Sequence, residues 1–229
     1  MKTIGLLGGM SWESTELYYR LINVETKRLL GGLHSAPIVM VSVDFHEIER
    51  HQAHDDWDAS ARILSEYARR IETAGAELLL ICTNTMHKVA DQVAAAIGIP
   101  LLHIADATAT HVKASGVCTV GLLGTRFTME QSFYTGRLEQ GGLRVLVPDE
   151  EDRALVHRVI YEELCLGQVN PGSRQEFLRI IDALHASGAE AIIEGCTEIG
   201  LLVGQEHTAV PLFDTTRIHA SQAVVAALG

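Results

Sequence analysis

Short apolar runs alternate with longer amphipathic segments along the whole chain. Runs rich in Leu, Ile and Val that end at glycine or polar residues are typical of buried strands, and apolar residues at every third or fourth position are typical of helices. The predicted strands are Thr3–Leu7, Ile38–Val43, Glu77–Ile81, Pro100–His103, Val117–Leu123, Leu143–Val147, Ala189–Glu194 and Val210–Phe213. The predicted helices are Ser14–Leu30, Asp58–Ala74, Lys88–Ile97, Ala105–Ala114, Thr128–Gln140, Glu150–Leu166, Ser173–Ala186 and Arg217–Leu228. This alternation favours an α/β fold with parallel sheets.

Three segments of the first half return in the same order in the second half. TIGLLG returns as TVGLLG, GAELLLICTN as GAEAIIEGCT and IPLL as VPLF, with offsets of 116, 113 and 111 residues. Such internal repetition predicts two pseudo-symmetric, doubly wound lobes. The first is expected to cover residues 1–114, joined by a C-terminal helix at residues 216–229, and the second to cover residues 115–215.

The loops that follow the third strand of each lobe are equivalent in this repeat. Ligands of doubly wound sheets bind beyond the carboxyl ends of the strands, so an active site is expected in the cleft between the lobes. The ungapped offset of 113 residues pairs Thr83 with Cys196, and Cys82 with Gly195. We therefore expect Thr83 and Cys196 to face each other, and Cys82 to point into its own lobe.

Two opposed groups suit one reaction class, in which a proton leaves one face of a carbon and another proton returns to the opposite face. A thiol with an unperturbed pKa of about 8.5 can serve as acid and as base near neutral pH. A threonine hydroxyl is a weaker base and needs help from water or from a substrate carboxylate. The pair Thr83 and Cys196 predicts 1,1-proton transfer, with the order of removal and return left open.

The amino-acid composition argues against a nucleic-acid-binding protein and against a membrane-spanning protein. Eighteen Lys and Arg residues against twenty-nine Asp and Glu residues give a net charge of −11, which argues against a nucleic-acid partner. The longest apolar runs are far shorter than the roughly 20 residues of a membrane span. Four scattered cysteines without a C-x-x-C pattern favour reduced thiols in a cytoplasmic protein.

Several other polar residues have two interpretations each. Arg126 in GTRFTM is either a ligand for a distal carboxylate or an ordinary surface arginine. Glu198 either orients or activates Cys196, or caps the following helix. His87 either stabilises a thiolate or is a hydrogen-bonded structural histidine. HEIERH at His46–His51 is one residue longer than H-E-x-x-H, so a solvated segment is expected there and no metal site.

Three motifs carry a resemblance to a known family: GLLGGMSWEST at Gly5–Thr15, NTMH at Asn84–His87 and GCTEIG at Gly195–Gly200. Through them, the chain resembles the aspartate/glutamate racemase family of PLP-independent racemases over essentially its whole length. It looks most like the branch of broad-specificity or L-aspartate/glutamate-specific racemases. The resemblance implies an isomerase of amino-acid metabolism that needs no cofactor, acts on a small amino acid or dicarboxylate, and forms a homodimer.

The same resemblance assigns roles to residues. Family members carry a cysteine immediately before Asn-Thr in the first lobe, and here Thr83 takes that position, one residue after Cys82. Thr83 and Cys196 are thereby implied as the catalytic pair, with Cys82 kept as an alternative thiol. The residues implied in substrate binding are Asn84, Thr85, Thr197, Met10, Ser11 and Gln52. Gly8–Gly9, at the end of the first strand, either offers backbone N–H groups to an anion or allows tight packing.

Two other functions stay open at this point. Loss of the first thiol is compatible with a single-cysteine decarboxylase, or with a cis–trans isomerase of a small carboxylic acid, on the same scaffold. A non-catalytic amino-acid-binding protein that kept only the pocket is the third class.

Overall fold

The computed structural model describes residues 1–229 and shows an α/β protein with two parallel sheets, one of three strands and one of four. The chain divides into two compact units, Met1–Ile104 with Thr216–Gly229 and Ala105–Thr215. None of the helices combines the length and the apolar composition that crossing a bilayer requires. The predicted fold class is confirmed.

The first unit contains most of the N-terminal half of the chain. Its elements are β1 (Ile4–Gly8), α1 (Trp12–Leu30), β2 (Ile38–Ser42), α2 (Phe45–Ala53), α3 (Trp57–Thr73), β3 (Leu78–Ile81), a 3-10 helix (Thr85–Val89) and α4 (Ala90–Ala95). The strand order is β2-β1-β3, and both pairings are parallel. All residues of β1 and β3 are buried, whereas β2 at the sheet edge is only partly buried, as expected for an edge strand.

The second unit repeats this arrangement and extends it by one strand. Its elements are α5 (Ile104–Ala114), β4 (Thr119–Gly124), α6 (Arg126–Glu130), α7 (Ser132–Gln140), β5 (Arg144–Leu146), α8 (Glu150–Glu162), a 3-10 helix (Leu164–Leu166), α9 (Pro171–Ala186), β6 (Ala191–Gly195), α10 (Ile199–Leu202), a 3-10 helix (Gln205–His207) and β7 (Leu212–Asp214). The final helix, α11 (Thr215–Leu228), follows β7 and joins the first unit. The strand order is β5-β4-β6-β7, all parallel.

The repeated sequences occupy equivalent places in the two sheets. TIGLLG forms the central strand β1 and TVGLLG forms the central strand β4, while the second repeated segment forms their neighbours β3 and β6. The third repeat gives a full strand only in the second unit. The strand predicted at Pro100–His103 is reduced to one bridge, Leu79 with Leu101, because the Leu102 carbonyl accepts a hydrogen bond from His219 at 2.9 Å.

The boundary between the units differs from the predicted boundary at residue 114. Ala105–Ala114, which make up nearly all of α5, belong to the second unit. Asp106 pairs with Arg137 at 2.8 Å, and the Lys113 ammonium donates to the Gly141 carbonyl at 3.4 Å. Such tertiary contacts leave no trace in the periodicity of the helix itself.

The C-terminal helix completes the core of the first unit. Four of its small apolar side chains, Ala220, Ala223, Val224 and Ala227, pack in one cluster with residues of β1, β3 and α1. The Lys2 amide donates to the Ala227 carbonyl at 2.8 Å. Helix α11 is apolar on both sides, but only its inner side is buried, because Val225 is 52 % and Leu228 is 39 % exposed.

Three further differences concern helices. The segment HEIERH belongs to a helix that was not predicted, α2, which is capped by Asp44; its polar residues are exposed or partly exposed, as expected, and only Ile48 within it is buried. The helix predicted at 128–140 is interrupted at Gln131, which adopts an extended conformation. The helix predicted at 150–166 ends at Glu162 and continues as a 3-10 turn.

Candidate active site

The end of β3 separates a buried thiol from a more accessible hydroxyl. Cys82 is completely buried in the core of the first unit, and burial raises the pKa of its thiol far above the ordinary value. Thr83, the next residue, is partly exposed. A thiol in this apolar position has no exposed surface to meet a substrate, which argues against Cys82 as the alternative catalytic thiol.

His87 fixes the backbone at Thr83. Its Nδ1 lies 2.7 Å from the Thr83 carbonyl oxygen, and its Nε2 lies 3.2 Å from the Ile104 amide nitrogen. Because a carbonyl only accepts and an amide N–H only donates, Nδ1 carries the hydrogen and the imidazole is neutral. This arrangement supports the structural interpretation of His87 and not that of a cation beside a thiolate.

Four other predicted binding residues of the first unit lie just after the carboxyl ends of its strands. Asn84 and Thr85 follow β3 and are buried, and Met10 and Ser11 follow β1 and are buried as well. Gln52 comes from α2, and its amide nitrogen lies 2.8 Å from the Met86 sulfur. The sheet topology therefore brings Asn84, Thr85, Met10 and Ser11, together with Thr83, to the same edge of the first unit, and the contact with Met86 places Gln52 near them.

Gly8 and Gly9 serve packing. The Gly9 amide donates to Thr15 Oγ1 at 2.7 Å, so this N–H group is already used within the protein. A Cβ on Gly8 would approach the Thr15 side chain to 2.2 Å, and Gly9 has a φ of +93°. Both positions need glycine for steric reasons. The interpretation of Gly9 as an anion-binding N–H donor is wrong.

In the second unit, β6 ends at Gly195 and presents a thiol beside a carboxylate. Cys196 Sγ donates to Glu198 Oε2 at 2.9 Å, and Thr197 Oγ1 donates to the same oxygen at 2.6 Å. Glu198 precedes α10 but makes no side-chain capping bond to that helix. Of its two interpretations, the structure therefore supports the one in which it orients Cys196.

Electrostatics keep this thiol protonated. Burial, followed by the negative charges of Glu198 and Cys165, raises the pKa of Cys196 well above its ordinary value. Cys196 is nevertheless 9 % exposed, whereas Cys82 has no exposed surface. The resting group is thus an S–H that can deliver a proton, and the carboxylate next to it is positioned to receive one.

Arg126 is the first residue of α6, which follows β4, the strand adjacent to β6. Its side chain is exposed and its backbone amide donates to His157 Nδ1 at 3.3 Å. His157 was not among the residues that the sequence singles out, because an isolated histidine within a helical segment carries no distinctive pattern.

The chain contains no group of three or more His, Cys, Asp or Glu side chains arranged to hold a metal ion. The histidines of HEIERH form no such group either. His46 is exposed on α2, and His51 Nδ1 lies 3.7 Å from Asp56 Oδ2.

Comparison with known proteins gives concordant matches over nearly the whole chain. Residues 7–223 match the Asp/Glu/hydantoin racemase family. A solved structure from Yersinia pestis, described as a candidate Asp/Glu racemase, is 58 % identical with a TM-score of 0.93. An aspartate racemase homologue from Pyrococcus horikoshii OT3 is 35 % identical with a TM-score of 0.85, and both alignments cover 100 % of each chain. The broad-specificity amino-acid racemase RacX of Bacillus subtilis (strain 168) is 22 % identical over 96 % of each chain.

Proposed function

The chain belongs to the Asp/Glu/hydantoin racemase family, and on this premise we propose that it is a cofactor-independent amino-acid racemase that interconverts L- and D-aspartate or glutamate. The reaction in this proposal is 1,1-proton transfer with two bases, Thr83 and Cys196. The observation that carries the proposal is the Cys196 thiol at the end of β6, hydrogen-bonded to a buried carboxylate at 2.9 Å.

This hydrogen bond indicates which group gives up and which group accepts a proton in each direction of the reaction. In one direction, the α-hydrogen leaves to the Thr83 side, with help from water or a substrate carboxylate, and the Cys196 S–H delivers its proton to the opposite face of the carbanion. In the other direction, Cys196 must first lose its proton, for which Glu198 Oε2 is the adjacent acceptor. Because enantiomers have equal free energies, kcat/KM is the same in both directions however unequal the two groups are.

Substrate binding in this proposal falls to the polar residues around the two strand ends. Asn84, Thr85 and Thr197 hold the α-carboxylate, and Met10, Ser11 and Gln52 line the pocket. Deprotonation moves negative charge from the α-carbon onto that carboxylate, so donors held in place by burial stabilise the transition state more than the ground state. Burial of Asn84 and Thr85 supports this role, because their side chains are already ordered before substrate arrives.

Exchange of the α-hydrogen tests the proposal directly. Incubation with L- or D-aspartate and L- or D-glutamate in D2O should give deuterium at the α-carbon together with loss of optical activity. Absence of exchange with any amino acid would remove the racemase function. Release of CO2, or isomerisation of an unsaturated acid, without α-exchange of amino acids would instead support the single-cysteine alternative, which is favoured by the weak basicity of Thr83.

Thr83→Cys is expected to accelerate racemisation by about 10- to 100-fold, since a thiol is a far better base near neutral pH than a hydroxyl. Initial rates of optical rotation at saturating aspartate measure the change. Thr83→Ser is the matched control, because it keeps a hydroxyl and should leave the rate within a few-fold of the parent. A loss of activity in Thr83→Cys, with Thr83→Ser active, would argue against Thr83 as one of the two bases.

Glu198→Gln is expected to change two readouts in opposite directions. Removal of the negative charge lowers the pKa of Cys196, because that charge is one cause of its elevation, so alkylation of Cys196 at neutral pH should become faster. Racemisation should become about 100-fold slower, since the acceptor for the thiol proton is lost.

Glu206→Gln removes an exposed carboxylate of the same unit and should change neither rate. Equal or faster racemisation in Glu198→Gln would show that Glu198 holds the thiol in place without taking its proton.

A further inference from the structure

Helix α6, which follows β4, begins with an arginine that has no carboxylate partner. Arg126 forms no ion pair, although Arg137, Arg153 and Arg179 of the same unit each pair with a carboxylate within 2.8 Å. In a protein of net charge −11, an exposed guanidinium without an ion pair is well suited to an anion from outside the chain.

Arg126 and Cys196 follow two neighbouring strands of the same sheet. Strands β4 and β6 are adjacent, with Gly124 opposite Gly195, and parallel strands lie about 4.8 Å apart. Arg126 comes two residues after Gly124, and Cys196 comes one residue after Gly195. Among the first two residues after each strand of the second unit, Arg126 is the only Lys or Arg. Arg126 and Cys196 therefore follow neighbouring strand ends, a separation that a long side chain can span.

His157 of α8 adds a neutral donor next to this cation. Its Nδ1 accepts the hydrogen bond from the Arg126 amide, which leaves the hydrogen on Nε2. Burial and then the charge of Arg126 lower the pKa of His157, so the ring stays neutral at pH 7. The rings of Phe127 and Tyr161 contact the imidazole, with centroids at 6.1 Å and 4.8 Å, and hold its orientation. Its Nε2–H makes no hydrogen bond within the protein.

We propose that Arg126 and His157 together bind the side-chain carboxylate of a dicarboxylic amino acid while Cys196 acts at the α-carbon. The guanidinium offers two parallel N–H donors to the carboxylate, and the imidazole Nε2–H offers a third. This inference rests on the proposed racemase function and gives it a basis for selecting aspartate and glutamate over asparagine and glutamine.

The first test compares charged substrates with their neutral isosteres. Arg126→Met should lower kcat/KM for α-hydrogen exchange of aspartate and glutamate by about 10- to 100-fold, the effect of losing hydrogen bonds to a charged group. Exchange of asparagine and glutamine should change by less than about 3-fold. Arg126→Lys, which keeps the charge and loses the paired donors, should fall between the parent and Arg126→Met.

His157→Asn provides an independent test of the donor. The Asn side-chain oxygen can still accept from the Arg126 amide, whereas the Nε2–H is gone, so kcat/KM for aspartate should fall by about 10-fold. Arg158→Met is the matched control, because it removes an exposed cation one residue further along α8. It should leave all four substrates unchanged. Circular dichroism and Tm show whether each variant is folded.

Binding separates a failure of this inference from a failure of the racemase function. If the parent protein exchanges no amino acid, the proposed function fails, and calorimetric titration with L-aspartate and succinate decides the inference. Binding that is at least 10-fold weaker in Arg126→Met than in the parent supports it. Equal affinity, absence of binding, or an equal loss of exchange for charged and neutral substrates would overturn it.

Discussion

Replacement of Cys196 by alanine is expected to reduce α-hydrogen exchange with aspartate and glutamate by about 100- to 10,000-fold, the usual contribution of a positioned acid or base. The reason is that Cys196 is the one thiol at a strand end that keeps exposed surface and a carboxylate partner, at 2.9 Å from Glu198. Proton NMR in D2O measures the loss of the α-hydrogen signal directly, without a coupled enzyme.

Cys82→Ala is the matched control for this experiment. Cys82 is a cysteine at the equivalent edge of the first unit, one residue before Thr83, but it lies in the apolar core. Its replacement should cost about 1 kcal/mol of unfolding free energy through lost packing and leave the exchange rate nearly unchanged. Full activity in Cys196→Ala, or inactivity confined to a folded Cys82→Ala, would contradict the assignment of the thiol.

A second large effect is expected in the acid stability of the first unit. His219 of α11 is fully buried: Tyr18 Oη donates to its Nδ1 at 2.8 Å, and its Nε2 donates to the Leu102 carbonyl at 2.9 Å. Burial lowers the pKa of His219 to about 4. Between pH 6.5 and pH 4 the unfolded chain therefore binds a proton that the folded chain excludes.

The sign of the effect follows from this difference in bound protons. Stability from the neutral His219 is fully present above pH 6.5 and is lost as the pH falls towards 4. The difference of pKa corresponds to about 3 kcal/mol of unfolding free energy over that range. Urea unfolding at a series of pH values between 7 and 4 measures it.

His219→Gln removes the titrating group and keeps a donor for the Leu102 carbonyl. This variant should be less stable than the parent at pH 7, because the Nδ1 acceptor for Tyr18 is lost. Its unfolding free energy should also change less steeply with pH, by the slope that corresponds to about one bound proton. His34→Gln replaces an exposed histidine of the same unit and should leave the slope unchanged. An unchanged slope in His219→Gln would show that acid unfolding is governed by other groups.

Sequence periodicity predicted the strands of this fold better than the boundary between its units. The repeated segments TIGLLG and TVGLLG form the two central strands, because a strand buried on both faces must be continuously apolar. The assignment of α5 depended instead on individual contacts, such as that between Asp106 and Arg137, which join residues far apart in the chain. No local pattern encodes such contacts.

Candidate-site residues could be predicted where they lie within the repeated segments, and not where they lie outside them. The offset of 113 residues distinguished Cys82 from Thr83, and the burial of Cys82 in the core agrees with that distinction. Helix α2 escaped prediction because its inner face carries Gln52 at a position where the helical period calls for an apolar residue. His157 was not predicted as a site residue, because its role depends on the amide of a residue in another element, Arg126.

The last helix has a consequence for how the protein is made. Ala220, Ala223 and Val224 fill the core formed by β1, β3 and α1, yet the ribosome reaches them only after it has translated all of Ala105–Thr215. Until α11 is translated, the apolar surface of β1, β3 and α1 that this helix covers therefore stays exposed, while the second unit emerges and folds. Nascent chains stalled before residue 216 should accordingly be held by chaperones that bind exposed apolar surface, and release of the finished chain should end that association.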